Sequence, residues 1–250
     1  MSGHSKWSKI KRKKGANDSA RSKVFSRLVK EITVAAREGG GDPTANARLR
    51  TAIDSAKAEN LPANNVEKAI KRGTGEISGV VYEEVTFEGY GPGGVAVLVQ
   101  ATTDNRRRTV PEMRKIFEKA GGNMGEQGSV GWMFKQAGLF VVDADTMEED
   151  DLFTVALESG AEDVTTQDGV YEVLSAPTEF HAVSQALDAA GVKVVSRELA
   201  MLPQNTIGLE GKQAEQCLRL MEVLDDHDDV QSVWTNADID EEVAEQLAAG

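Results

Sequence analysis

A basic segment near the start of the chain is the first group of residues that could do chemistry. Residues 3–15, "GHSKWSKIKRKKG", hold six lysines and arginines and one tryptophan. Each cation could neutralise a nucleic-acid phosphate and release its counterion, and Trp7 could stack on an unpaired base. The alternative is a solvated charge run with an incidental tryptophan. The candidate nucleic-acid contacts in this basic segment are His4, Lys6, Trp7, Lys9, Lys11, Arg12, Lys13 and Lys14.

Two further groups of cations fit the same chemistry. The stretch "DNRRRTVPEMRK", residues 104–115, places Arg106, Arg107 and Arg108 just before a predicted helix start, with Thr109 as a possible cap. Helix N-termini attract anions because unpaired N–H groups and the macrodipole point there. Pairing with the protein's own carboxylates is the open alternative. A helix predicted from residue 18 onward adds a basic face to the candidate contacts, with Arg21, Lys23, Arg27 and Lys30.

No group of residues indicates catalysis or metal binding. One cysteine, Cys217, and three histidines leave too few ligands for a zinc site. "DDHDD", residues 225–229, lacks the spacing of a calcium loop and predicts a solvated helix end. "GYGPGG", residues 89–94, lacks the Lys-Ser/Thr pair of a P-loop and predicts a hairpin turn. The sequence therefore predicts a protein that is not an enzyme, with no cofactor and no small-molecule substrate.

Charge is divided unevenly along the 250 residues, whose formal net charge is −13. Residues 1–75 hold 17 Lys/Arg and 7 Asp/Glu, a net charge of +10, whereas residues 76–250 have a net charge of −23. Such asymmetry indicates a polyanion-binding end on a body that polyanions avoid. A lone cysteine suits a reducing compartment, and no apolar run reaches the ~18 residues that span a bilayer. No hydrophobic segment follows the basic start, so we expect a cytoplasmic protein without membrane contact.

Hydrophobic periodicity predicts helices first and strands later. Three helices are expected before residue 75: one ended by "GGG" at 39–41, one capped by Asp42 with Pro43 in its first turn, and one ended by Gly73 as a left-handed cap. After Gly75, "VYEEVTFEGYGPGGVAVLVQATT" predicts a hairpin, followed by a helix over 110–119 and a strand at "GSVGWMF". Residues 139–202 predict the order βαββαβ, with a strand pair around Asp168-Gly169. A helix over 211–225 and a strand at "VQSVW" complete the pattern.

These elements predict an α+β multidomain protein. We expect an N-terminal helical bundle and two ferredoxin-like α/β domains, the third domain inserted into the second. The predicted segments are a basic flexible arm at 1–17, a basic helical domain at 18–78, a split α/β domain at 79–135 and 203–240, an inserted domain at 136–202 and an acidic tail at 241–250.

Five motifs in one order also carry a family resemblance: "MSGHSKW", "GGGDP", "EGYGPGG", "TDNRRRT" and "GGNMGEQGSV". Together they resemble the YebC/PmpR family of probable transcriptional regulators, over nearly the whole chain. The resemblance implies a cytoplasmic three-domain regulator of gene expression that binds DNA. It also implies an alternative, a ribosome-associated translation factor that binds rRNA or tRNA near the peptidyl-transferase region and relieves stalling, for example at proline runs. DNA and RNA both stay open as partners.

Overall fold

The computed structural model describes residues 18–167 and 169–239. The expectations for the basic segment, the acidic tail and Asp168 lie outside the described residues. In chain order the elements are α1 (Asp18–Gly39), α2 (Ala47–Ala58), α3 (Ala63–Gly73), β1 (Glu83–Tyr90), β2 (Ala96–Thr103), α4 (Arg106–Lys119), β3 (Asn123–Met124), β4 (Phe134–Asp143), α5 (Glu149–Glu158), β5 (Ala161–Gln167), β6 (Val170–Ser175), α6 (Phe180–Ala189), β7 (Val194–Pro203), β8 (Ile207–Leu209), α7 (Gly211–Asp225), β9 (Val230–Thr235) and β10 (Ala237–Ile239).

The first three helices pack around an apolar core that includes Ile32, Leu49 and Ala69. Gly73, expected as a left-handed cap, instead lies where α3 crosses α1. A Cβ there would come within 2.4 Å of the Thr33 carbonyl oxygen, so the close approach requires glycine. The left-handed turn falls two residues later, at Gly75, with φ +81°.

The start of α2 also differs from the expectation. Asn46, not Asp42, caps the helix, because its Oδ1 accepts from the Leu49 N–H at 3.0 Å. The Asn46 amide group donates to the Ala35 carbonyl at 2.8 Å and so joins α2 to the end of α1. Asp42 instead accepts from the Thr44 N–H and hydroxyl within a turn. A single cap thereby orients two helices.

The first sheet has the order β3-β1-β2-β9, and β1 pairs antiparallel with β2 and β3. Apolar residues of these strands pack in one core with residues of α4 and α7. This core includes Val97 of β2, Met113 and Phe117 of α4, and Leu220 of α7. The sequence predicted a third strand at "GSVGWMF". That expectation is wrong, because Gly131–Met133 form a 3-10 turn and the third strand is the short β3.

A second sheet, β5-β6-β4-β7, belongs to a separate compact unit over Phe134–Leu202, here called the inserted unit. Its elements follow in the order βαββαβ, and α5 and α6 supply Leu152 and Leu187 to its core. The predicted fold class is confirmed: helices at the N-terminal side precede mixed α/β sheets. The other described residues, up to Met133 and from Pro203, form one unit. The finer division into five segments stays a prediction.

The chain leaves and re-enters this first unit at one place. The Gln204 N–H donates to the Met133 carbonyl at 2.9 Å, and Gln204 Nε2 donates to the Trp132 carbonyl at 3.0 Å. The ends of the two segments are therefore held side by side.

A buried carboxylate organises the glycine-rich loop before that junction. Glu88 Oε1 accepts from the Gly128 N–H at 2.7 Å, and its Oε2 accepts from the N–H groups of Val130 (2.7 Å) and Gly131 (2.6 Å). Burial alone would raise the Glu88 pKa, but the three N–H donors outweigh it and lower the pKa below its ordinary value. Trp132, the next residue after Gly131, is 67% exposed.

Replacing this carboxylate should destabilise the loop. Glu88→Gln retains one acceptor oxygen and turns its amide hydrogens toward backbone donors, so we expect a loss of ~2 kcal/mol in the free energy of unfolding at pH 7. Because the folded pKa lies below the unfolded value, this contribution is present above pH ~4.3 and disappears as pH falls through the lowered folded pKa. Urea unfolding at pH 7 and pH 3 measures it. Glu126→Gln, an exposed change in the same loop, should stay within ~0.5 kcal/mol of the wild type.

Candidate nucleic-acid interface

The three predicted arginines, Arg106, Arg107 and Arg108, lie in the first turn of α4. Asn105 caps this helix, since its Oδ1 accepts from the Arg108 N–H at 3.2 Å, so the helix begins at Arg106 rather than after Thr109. Arg106 and Arg107 are exposed, and neither has a carboxylate partner among the described residues. Exposed cations at a helix N-terminus combine with its free N–H groups to attract anions.

Three more cations continue along the same helix and were missed as candidates. Arg107 and Arg114 are seven residues apart, so they lie on one face of the helix. Lys115 and Lys119 are four residues apart and lie together on a neighbouring face. All are exposed and have no carboxylate partner within the described ranges. The helix predicted over 110–119 already contained Arg114, Lys115 and Lys119, and its observed start at Arg106 adds Arg107 to the same face as Arg114. We call Arg106, Arg107, Arg114, Lys115 and Lys119 the α4 surface.

Arg108 has a different environment from its two neighbours. Its Nη2 lies 2.7 Å from Asp229 Oδ2 and 3.0 Å from Asp104 Oδ1. The hydrogen bond to Asp229 is the main reason why the Arg108 pKa is raised. The open alternative for the arginine run, pairing with the protein's own carboxylates, therefore applies to this one arginine.

Asp229 is the centre of a buried polar cluster. Its Oδ1 accepts from Lys30 Nζ at 3.1 Å, and its Oδ2 accepts from Thr109 Oγ1 at 2.8 Å and Thr103 Oγ1 at 3.1 Å, besides Arg108. Burial raises the Asp229 pKa, but the bonds from Arg108, Thr109 and Lys30 outweigh it and lower the pKa to about 2. The carboxylate thus joins α1, α4 and the end of β2.

The remaining cations predicted on α1 also have partners. Lys23 Nζ lies 2.8 Å from Asp226 Oδ1, and Arg27 Nη1 lies 3.2 Å from Asp225 Oδ1. The guanidinium of Arg21 lies 5.3 Å from the Phe25 ring centre. The "DDHDD" stretch is the end of α7, as the sequence predicted, and Asp226 and Asp228 are exposed. The expectation of a solvated end is wrong for Asp225 and Asp229, whose carboxylates are largely buried against Arg27 and Lys30 of α1. A nucleic-acid role for these α1 residues stays a prediction.

The eight candidates of the basic segment lie outside the described residues. Over 18–167 and 169–239, no three His, Cys, Asp or Glu side chains are grouped so that they could hold a metal ion. None of the helices described is long and apolar enough to cross a bilayer.

Among the described residues, a three-helix region precedes two four-stranded sheets and the two-stranded sheet of β8 and β10, and α4 carries cations that have no carboxylate partner. This arrangement defines a multidomain α+β protein. The chain belongs to the TACO1/YebC family. Residues 5–76 match the model described as the TACO1/YebC protein N-terminal domain, and residues 82–237 match the model of the TACO1/YebC second and third domain.

Relatives and a solved structure cover nearly the whole chain. A probable transcriptional regulatory protein, DP2908, of Desulfotalea psychrophila is 58% identical over 99% of this chain and 100% of its own length. The probable transcriptional regulatory protein GSU1074 of Geobacter sulfurreducens is 56% identical, with the same coverage. The crystal structure of a conserved hypothetical protein, Aq1575, from Aquifex aeolicus is similar with a TM-score of 0.83, 44% identity, and coverage of 90% of this chain and 93% of that one.

Proposed function

We propose that the protein is a non-enzymatic, nucleic-acid-binding regulator of gene expression. The observation that carries the proposal is the α4 surface. It concentrates on one helix five cations that have no carboxylate partner in the described part of the chain, and it lies within residues 76–250, whose net charge is −23. Such a concentration fits a phosphate backbone, because each contact releases a counterion. The names of the relatives, probable transcriptional regulatory proteins, support regulation of transcription.

A second candidate is a translation factor that binds RNA on the ribosome. The charge distribution favours it, because a body with a net charge of −23 would repel a duplex laid along it and restrict binding to one end. Stacking of Trp7 also requires unpaired bases, which folded RNA offers in its loops. This candidate includes binding near the peptidyl-transferase region and relief of stalling at proline runs.

Competition between nucleic acids distinguishes the two candidates. At equal, near-physiological salt we expect a structured RNA with loops to displace the protein from random duplex DNA, and we expect the protein to sediment with ribosomes. Fluorescence anisotropy and sucrose-gradient sedimentation measure these outcomes. Sequence-dependent duplex binding that persists at high salt and exceeds RNA binding would establish the transcriptional route and exclude the ribosomal one. No binding to either nucleic acid at low salt would contradict the proposed function.

Two arginines of the α4 surface provide a direct test by mutation. We expect the double variant R106A/R107A to weaken RNA binding roughly tenfold and to reduce the steepness of log K against log salt by ~1.4, about 0.7 for each single-strand phosphate that is no longer neutralised. The matched control is K212A/R219A, which removes the same charge from exposed cations of α7. If both variants weaken binding equally, the effect is general electrostatics and α4 does not contact phosphate.

A further inference from the structure

Trp132, the residue after the loop that Glu88 holds, presents a large aromatic ring to solvent. It is 67% exposed, whereas Trp234, the other tryptophan in the described ranges, is 3% exposed. An exposed leucine or valine needs no explanation, but tryptophan is highly buried on average because its ring carries much apolar area. A ring left in water at this position indicates a contact that is made only with a partner.

The protein holds this ring in one orientation without covering it. Trp132 Nε1 donates to the Ser129 carbonyl at 3.2 Å, and the Trp132 carbonyl accepts from Gln204 Nε2 at 3.0 Å. Glu88 accepts from the preceding N–H, that of Gly131, at 2.6 Å. The indole N–H and the carbonyl are therefore bonded within the protein, so a partner need contact only the face of the ring. A ring that is already fixed loses little conformational entropy when it binds.

The loop that carries Trp132 adjoins the end of α4. Beyond Lys119, Gly122 lies so close to the Tyr90 carbonyl that a Cβ would come within 2.3 Å of its oxygen. The Tyr90 hydroxyl donates to the Ser129 carbonyl at 3.1 Å, and this carbonyl also accepts from the Trp132 indole. One tyrosine side chain thus connects the end of the α4 surface to the loop of the exposed ring. A bound single strand of ~4–16 nucleotides is long enough to contact both.

The charges around the ring favour a base rather than a phosphate as its contact. Residues 121–133, from the end of α4 to the start of the inserted unit, contain one carboxylate, Glu126, and no lysine or arginine. An exposed carboxylate repels phosphate, whereas the five cations of the α4 surface attract it. Every nucleobase has a flat, uncharged face on which an aromatic side chain can stack. The two surfaces therefore suit different parts of one nucleotide chain.

We propose that Trp132 is a stacking platform for an unpaired nucleobase of the same strand whose phosphates bind the α4 surface. This inference rests on the proposed function and narrows its ligand to a single-stranded nucleic acid or the unpaired loops of a folded one. The base stacks on the indole, the backbone runs toward α4, and the loop that Glu88 holds keeps the ring in place. A paired base inside a duplex is stacked on its neighbours and does not reach the ring.

Two probes that both carry phosphates, only one of which carries bases, test the platform. We expect W132A to bind a single-stranded oligo(A) of about 12 nucleotides roughly 5- to 100-fold more weakly than the wild type, as for the loss of one stacked base. Its affinity for inorganic polyphosphate, which has no bases, should be unchanged, because an indole neutralises no phosphate. R106A/R107A should weaken binding to both probes. Isothermal titration calorimetry measures both affinities.

Two control variants separate stacking from a change in the fold. W132F keeps an aromatic ring and should retain most of the affinity for oligo(A). F153A removes an exposed ring from α5, a helix whose first turn is acidic, and should leave both affinities unchanged. A disturbed fold would instead lower the affinity of W132A for both probes, and W132F would not restore it.

Tryptophan fluorescence gives a second measurement of the same contact. In a W7F background, oligo(A) should quench the emission of exposed Trp132, because Trp234 is buried, and the quenching should disappear in W7F/W132F. An unchanged oligo(A) affinity of W132A, or an equal loss for oligo(A) and polyphosphate, would overturn the inference. Absence of quenching at saturating oligo(A) would overturn it as well. Binding of oligo(A) by the wild type would in those cases leave the proposed function intact, whereas absence of nucleic-acid binding by the wild type at low salt would overturn the proposed function itself.

Discussion

Asp229→Ala is expected to lower the free energy of unfolding by about 3–5 kcal/mol at pH 7, because it removes one member of a buried pair and leaves the other charged. Lys30 would lose its carboxylate partner while its own side chain is only 13% exposed. The hydroxyls of Thr103 and Thr109 would lose Asp229 Oδ2 as an acceptor. Asp229→Asn, which keeps the shape and one acceptor oxygen, should cost less than the alanine change.

The pH dependence of this loss follows from the Asp229 pKa. It is about 2 in the folded protein against an ordinary value of 3.8. A lowered folded pKa stabilises the protein fully above the unfolded pKa, and the contribution is lost as pH falls toward the folded one. Urea unfolding at pH 7, 4 and 2.5 should show the difference between the wild type and Asp229→Ala narrowing below pH 4. The exposed neighbour Asp228→Ala is the control. A difference that stays constant down to pH 2.5 would contradict the ionic role of the cluster.

Deletion of residues 1–17 is expected to weaken nucleic-acid binding by at least ~100-fold, because it removes six lysines and arginines at once. Each cation that no longer neutralises a phosphate reduces the steepness of the salt dependence by ~0.7 on single strands, so the total change should approach about four units. The fold should persist, since the core residues of the helical region, such as Ile32 and Leu49, lie after the deletion. Anisotropy titrations at several salt concentrations and circular dichroism measure both expectations.

A full-length variant distinguishes charge from chain length in this experiment. Replacing the six lysines and arginines of the basic segment by glutamine retains Trp7 and should reproduce most of the change in salt dependence, with a smaller loss of affinity. The difference between this variant and the deletion gives the contribution of stacking, ~1–3 kcal/mol for one base. Unchanged binding after the deletion, with an intact fold, would refute a role for the basic segment.

The order of elements could be predicted because it depends on local patterns of burial. The alternating apolar residues of 139–202 were sufficient for βαββαβ, and the strand pair around Gly169, whose φ is +76°, needed only a turn residue. The helix starts were less predictable. Asp42 and Asn46 are both good caps, and the choice depends on the Ala35 carbonyl to which the Asn46 amide donates.

Which side chains the cations meet could not be predicted from the sequence. The spacing of Lys23, Arg27 and Lys30 shows that they share a face, but not that residues 225–229 cover it, because the partners are about 200 residues apart. Asp229 received no role for the same reason: its donors come from α1, β2 and α4. A charge pattern in the sequence predicts whether a helix face is positive or negative. Which residues from distant parts of the chain pack against that face is known only from the tertiary structure.

The bond between Gln204 and Met133 has a consequence for folding during synthesis. β9 completes the first sheet by pairing with β2, yet it leaves the ribosome only after the whole inserted unit. Closing a loop of roughly 70 residues costs about 4 kcal/mol of chain entropy. The first and last strands of the inserted unit, β4 and β7, are neighbours in its sheet. If the inserted unit folds first, its own contacts therefore bring the two ends of this loop together before β9 emerges. Until then β2, apolar over "AVLV", is an open sheet edge in a nascent chain and a natural place for a chaperone to bind.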